Sequence, residues 1–289
     1  MSPYPKGFLP DLRRLDSWPD LHDSLWRSPA LVRLTYSELA RLVETLVGPR
    51  PRRVLYVGPG LGYIALELAR QGHDVTGVDI DQEAVALATR AAASDPERRQ
   101  RGKLDYQVGE FPADDGSNGP YDTVLFCRVL HHMNDAGRAV ARAADLLQGD
   151  GTMVCVDFAH DRFGTADAHW MARSQEWLSR SGWWPRPLNE SLLEETERIS
   201  RAWRKDHDDE GLNPFKTMLD PLREHFELTN LLWRPYLFWD LATDMRAPSD
   251  REGLIARFMR DDEERLLGQE RLQGVLFSTS GSARTEPAD

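Results

Sequence analysis

The 289-residue chain predicts an α/β fold with a doubly wound parallel sheet. Two observations carry that expectation. Between residues 53 and 158, short apolar runs alternate with amphipathic stretches of helical period. The first run, Val54-Leu55-Tyr56-Val57, stops at Gly58, Gly60 and Gly62, and the next, Val75-Thr76-Gly77-Val78, closes on Asp79. Strand, tight glycine turn, helix, strand and acid in that order make a pocket for a ligand with a ribose and an amino-acid or phosphate end.

The elements follow in order. Residues 1–20 carry four prolines and read as an irregular lead-in. Residues 20–47 hold two helical patterns, with Leu39, Leu42, Val43 and Leu46 on one apolar face. Gly48-Pro49-Arg50-Pro51 ends the second helix. Strands are expected near 53–58, 74–79, 103–108, 121–127 and 151–158, and helices near 61–71, 81–93 and 135–148. Right-handed crossovers then bring Gly58, Asp79, Glu110 and Cys127 to one edge, where the strands end. Beyond Phe158 the rhythm changes to two long helices over 165–210, a helix near 214–224, a strand from Phe226 to Trp233, a helix near 250–267 and a last strand from Val275 to Ser278. The chain therefore divides into an N-terminal helical cap (1–50), a ligand-binding core (51–160), a helical insert (161–213), the remainder of the core (214–280) and a frayed tail (281–289).

Composition excludes several classes. A net charge of −11, from 36 basic and 47 acidic residues, argues against a general nucleic-acid binder. The short basic cluster Arg98-Arg99-Gln100-Arg101 reads as a solvated helix end. Cys127 and Cys155 lie in apolar runs and are expected as buried thiols. No CxxC or HExxH spacing occurs, so no metal is expected. No run of 18 apolar residues and no apolar leader core is present, which predicts a soluble, cytoplasmic protein without a membrane role.

Dinucleotide sites space their glycines GxGxxG, whereas here the spacing is GxGxG. With Asp79 and the later features, the stretch from Arg52 to Phe158 resembles the class I S-adenosylmethionine (SAM) methyltransferases. The resemblance implies a Rossmann-like, mostly parallel sheet of seven strands, the last antiparallel, with a lid inserted after the fifth. It implies SAM as cofactor. Gly58, Gly60 and Gly62 would wrap its methionine part and Asp79 would hold the ribose. Ile80 would lie on the adenine, Glu110 would accept the adenine amino group, and Phe111 would flank the ring. Cys127 and Arg128 would lie under the sulfonium and carboxylate. One position departs from the family: Tyr56 stands where an acid normally helps hold the ammonium. A charged hydrogen bond of that kind contributes about 1.5–3 kcal/mol. Tyr56 is either a substituted cofactor contact or a buried structural tyrosine.

Methyl transfer mainly requires an aligned nucleophile, and a hydroxyl nucleophile also needs a base. Arg128-Val129-Leu130-His131-His132-Met133-Asn134-Asp135 resembles the HHMPD-like segment of natural-product O-methyltransferases, with Asn134 in place of proline. The resemblance implies His131 or His132 as base, oriented by Asp157 at the end of the fifth strand; the histidines could instead pack the loop. His160 and Asp161 are alternative candidates. The acid-and-amide metal set of catechol-type methyltransferases is not seen.

Trp18, Trp26, Trp170, Trp177, Trp183, Trp184 and Trp203 fall in the regions that set substrate specificity in the family, and Trp233 to Trp239 adds more aromatics. They favour a flat or apolar small molecule, or else form a helix core or a homodimer face. His207-Asp208-Asp209-Glu210 reads as a solvated helix end, and Glu194, Glu195 and Glu197 as an exposed face. The leading expectation is a methyltransferase acting on oxygen or nitrogen of a small secondary metabolite. Tyr56 motivates a second: a cyclase or isomerase that keeps the fold and the cofactor pocket without methyl transfer. A non-catalytic partner subunit is the third.

Overall fold

A computed structural model describes residues 25–48, 51–113, 119–188 and 190–284, with the side chains of residues 208 and 209 left aside. The lead-in, Trp18 and most of the tail lie outside the described residues. The order is α1 (Pro29–Leu34), α2 (Tyr36–Val47), β1 (Arg53–Val57), α3 (Tyr63–Arg70), β2 (Asp74–Asp79), α4 (Gln82–Ala93), β3 (Leu104–Val108), β4 (Tyr121–Cys127) and α5 (Ala136–Leu146). Then come β5 (Leu147–Phe158), α6 (Thr165–Arg180), α7 (Leu192–Glu210), α8 (Phe215–His225), β6 (Phe226–Arg234), α9 (Leu237–Asp244), α10 (Glu252–Gly268) and β7 (Leu276–Ala283).

The seven strands form one sheet in the order β3-β2-β1-β4-β5-β7-β6. β1 is parallel to β2 and β4, β2 to β3, and β4 to β5. β7 runs antiparallel to both neighbours. The strand order reverses between β1 and β4, which opens a crevice at their carboxyl ends.

Side chains alternate between two cores because a strand has period two. Val54 and Tyr56 of β1, Leu125 and Cys127 of β4, and Val154, Val156 and Phe158 of β5 face one core, which α2, α3, α6, α9 and α10 complete. Leu55, Val57, Val124, Phe126, Met153 and Cys155 face the other, closed by α5 and α8. This parity puts Tyr56, Cys127 and Phe158 on the face that α6, α7 and α9 cover.

Three element boundaries differ from expectation. β5 begins at Leu147, because α5 stops at Leu146 and the four residues after it already run as strand. β7 continues past Ser278 to Ala283, so residues 281–283 are paired strand rather than frayed tail; the Ser/Thr/Gly composition hid a register held by backbone bonds to β5 and β6. α9 was read only as an aromatic stretch. The Glu263 carboxylate of α10 accepts from the amides of Tyr236, Leu237 and Phe238 at 2.8, 2.9 and 2.9 Å, and so caps its first turn. At its other end, the Arg27 guanidinium donates to the carbonyls of Ala242, Thr243 and Met245. An anion at the N-terminus and a cation at the C-terminus complement the helix dipole. Both caps are distant in sequence.

Candidate active site

The glycine turn sets the site. Gly58, Gly60 and Gly62 all have positive φ, at 66°, 52° and 75°, a region that side chains disfavour. A Cβ on Gly58 would stand 2.4 Å from Val129 Cγ2, and one on Gly62 would stand 2.4 Å from the Tyr106 hydroxyl. Gly60 has nothing within 4 Å. The three glycines therefore do different work: Gly58 lets the loop after β4 approach, Gly62 lets β3 approach, and Gly60 leaves room for a ligand. The Gly60 amide donates to Asp79 Oδ2 at 2.7 Å, and the Asp81 amide donates to Oδ1 at 3.0 Å. Asp79 thus braces the turn, and its remaining lone pairs stay able to accept from a ribose diol.

A cavity of about 200 Å³ opens here, walled by Tyr56, Gly58, Gly60, Cys127 and Arg128. Trp26, Tyr36 and Tyr63 complete it. Tyr36 and Tyr63 carried no sequence signal of their own; α2 and the glycine turn bring them in, with rings 5.2 Å apart. Gly62 and Asp79 are not part of this lining; Asp79 reaches it through its bond to the Gly60 amide. Ile80 and Glu110 lie on the exposed rim at the ends of β2 and β3, and Phe111 is buried against Phe126 at 6.2 Å.

Tyr56 is buried and hydrogen-bonded to the Cys127 thiol. Burial pushes the phenol well above its ordinary pKa and the thiol up to about 12, so both groups are neutral. Arg128 adopts φ 57° and holds its guanidinium carbon 5.7 Å from the Tyr236 ring centre and 5.6 Å from that of Trp239. Neutral Tyr56 beside cationic Arg128 suits the carboxylate of an amino-acid end better than its ammonium.

A second cavity, of about 570 Å³, lies beneath α6, α7 and α9. The two cavities share Arg128, His131 and His132. His131 Nδ1 lies 2.5 Å from Asp157 Oδ1. Asp157 is fully buried; its Oδ2 accepts from the amides of Val129 and Leu130 at 3.1 and 2.8 Å, and Oδ1 accepts from the Phe158 amide at 2.7 Å. One carboxylate therefore fixes both the loop and the imidazole. With Nδ1–H given to Asp157, Nε2 is the nitrogen left to accept a proton. His132 is more exposed, and burial first, then His131, lower its pKa below the ordinary histidine value.

Asn213, between α7 and α8, was missed by sequence reasoning. Its Nδ2 donates to the carbonyls of Leu130 and Met133 at 2.9 and 2.6 Å, and its amide donates to the His131 carbonyl at 2.8 Å. No local motif marks an asparagine whose partners are 80 residues away.

Other candidates are placed elsewhere. His160 stacks on His207 at 5.7 Å, outside the wall of either cavity, and its carbonyl accepts from Trp203 Nε1. Asp161 accepts from the Phe215 amide at the start of α8. His207 and Glu210 line the larger cavity, Glu210 exposed as expected of a solvated helix end and His207 half-buried. Glu195 is buried, not exposed, and pairs with Arg186 and Arg198 at 2.9 and 2.5 Å. Of the tryptophans, Trp26 walls the smaller cavity and Trp184 and Trp203 the larger. Among the described residues no cluster of three His, Cys, Asp or Glu is arranged to hold a metal ion, and no helix is long and apolar enough to cross a membrane.

Residues 31–206 match the family model described as a methyltransferase domain. An uncharacterised methyltransferase of Mycobacterium tuberculosis is 33% identical over 117 residues, 40% of this chain and 56% of its own length. The chain thus spans little more than half of that relative. The ribosomal RNA small subunit methyltransferase A of Streptomyces avermitilis is 30% identical over 225 residues, covering 71% of this chain and 75% of that protein. Among solved structures, geranyl diphosphate C-methyltransferase from Streptomyces coelicolor, in complex with Mg2+, geranyl diphosphate and S-adenosyl-L-homocysteine, shares the fold with a TM-score of 0.57 at 12% identity, over 88% of this chain and 83% of that one. The open space at Gly60, the braced Asp79 and the cation at Arg128 fit a nucleoside with an amino-acid tail, and with these matches the chain belongs to the class I SAM-dependent methyltransferase family.

Proposed function

We propose that the protein transfers a methyl group from SAM to an oxygen or nitrogen of a small, aromatic or apolar molecule of secondary metabolism, in the cytoplasm. The observation that carries this reading is the Asp157–His131 pair at the seam of the two cavities. SAM supplies a methyl group on a positive sulfur, which leaves readily. Gly58, Gly60, Asp79 and Arg128 would hold it, and Tyr56 and Cys127 would offer neutral polar contacts beneath. His131, with Nδ1 held by Asp157, would take the proton from a hydroxyl or ammonium at Nε2. α6, α7 and α9 would hold the acceptor against the seam. The net charge of −11 and a cavity of about 570 Å³ favour a small molecule over RNA.

Incubation with SAM bearing a trideuterated methyl group and a panel of phenols and aromatic amines tests the reading. Mass spectrometry is expected to find the label on oxygen or nitrogen of the product. Tyr56 favours a second reading, a cyclase or isomerase in the same pocket; a product formed without gain of the label would establish that one instead.

A further inference from the structure

The larger cavity carries an unbalanced charge. Asp206 and Glu210 of α7 and Asp240 and Asp244 of α9 line it, and none of the four forms a salt bridge among the described residues. Arg186 and Arg198 also line it, but both guanidinium groups are already bonded to Glu195. Arg128 is turned toward Tyr236 and Trp239 at the seam. Asp240 is half-buried and the other three are exposed at the cavity wall; burial together with Asp244 pushes Asp240 up to about 7, against the pull of Arg128. A structural role would pair such a group with an arginine; Arg128 draws Asp240 down in part, but no salt bridge joins them among the described residues.

A second observation points the same way. Gln175 of α6 is 6% exposed, lines the cavity, and its Oε1 has no hydrogen-bond partner. A buried acceptor left open destabilises the fold unless a ligand donor meets it. Phe158, Trp203 and Tyr236 supply rings around the same space, with Phe158 5.7 Å from Trp203 and 5.1 Å from Tyr236. Aromatic faces and carboxylates together recognise a cationic nitrogen on an apolar body.

We infer that this cavity selects a substrate that carries a protonated amine beside an aromatic or apolar body, with the amine held by the α7 and α9 carboxylates and Gln175. The inference rests on the methyltransferase reading and names its substrate class. The amine is the anchor, so the reacting oxygen or nitrogen is a different atom, presented to Arg128 and His131.

Calorimetry on the full chain tests it. The protein is saturated with S-adenosylhomocysteine, whose sulfur is uncharged, and titrated with tyramine, 4-ethylphenol and 3-(4-hydroxyphenyl)propanoate, which share one ring and differ in charge. Tyramine is expected to bind at least about tenfold more tightly than 4-ethylphenol, with the propanoate weakest. The double variant Asp240→Asn, Asp244→Asn is expected to reduce that preference to about threefold or less while S-adenosylhomocysteine binds as before. Equal affinity for tyramine and 4-ethylphenol, or no binding of any probe, with S-adenosylhomocysteine bound, overturns the inference and leaves the methyltransferase reading standing. Absence of S-adenosylhomocysteine binding overturns the methyltransferase reading, and this inference with it.

Discussion

Adjacent histidines in one loop have different surroundings. His131 is buried, bonded to Asp157 and shared by both cavities, whereas His132 is exposed and lacks a carboxylate partner among the described residues. His131→Ala is expected to lower kcat by roughly 100-fold or more, the usual contribution of a general base. His132→Ala should change it far less, and the affinity for S-adenosylhomocysteine should hold in both; steady-state kinetics with calorimetry checks this. The glycines are equally distinct. Gly58→Ala combines a positive φ with a contact at 2.4 Å to Val129. Strain and overpacking together should destabilise by about 2–4 kcal/mol. Gly60→Ala meets no neighbour, so urea unfolding should show a smaller loss, of about 1–2 kcal/mol from the backbone alone.

At the level of elements, α9 shows how a short helix is held where sequence alone gives no signal. Glu263 caps it from α10, and burial raises this carboxyl from 4.5 to about 7 against three amide donors. The folded state then binds a proton more tightly than the unfolded chain. Glu263 therefore contributes its full stability below about pH 4.5 and loses it as pH rises through about 7. Unfolding of Glu263→Gln is expected to depend less steeply on pH across that window than unfolding of the wild type, with the difference on the order of 3 kcal/mol. Urea midpoints at pH 5 and pH 8 measure it. The same helix carries Asp240 and Asp244, so its two distant caps also position the acidic wall of the larger cavity.

For the molecule as a whole, the site sits at the crevice where strand order reverses, between β1 and β4. α6, α7 and α9 roof one side, and Trp26, α2 and α3 wall the other. A ligand there bridges elements from both sides of the crevice. S-adenosylhomocysteine at about 100 times its Kd should add about 2.7 kcal/mol and raise Tm by roughly 5–10 °C. Asp79→Ala should shrink that shift at equal ligand concentration, and thermal melts check both.

The strand–turn–helix at Gly58, the acid at Asp79 and the histidine loop before α5 were legible in the sequence because each is a local pattern: apolar period, residues suited to positive φ, and a short spacing. The pairing of His131 with Asp157 was legible as a resemblance. The place of His207 in the wall of the larger cavity, the burial of Glu195, the clamp by Asn213 and the capping of α9 were not. Each depends on which distant element lies opposite, and a helical face carries no mark of its partner when that partner is another polar side chain. By itself the sequence determined the wound sheet and the cofactor turn, since periodicity and glycine placement act within a few residues. Only the tertiary structure decided the charge and shape of the larger cavity, because packing of α6, α7 and α9 chooses which carboxylates line it without a salt bridge among the described residues.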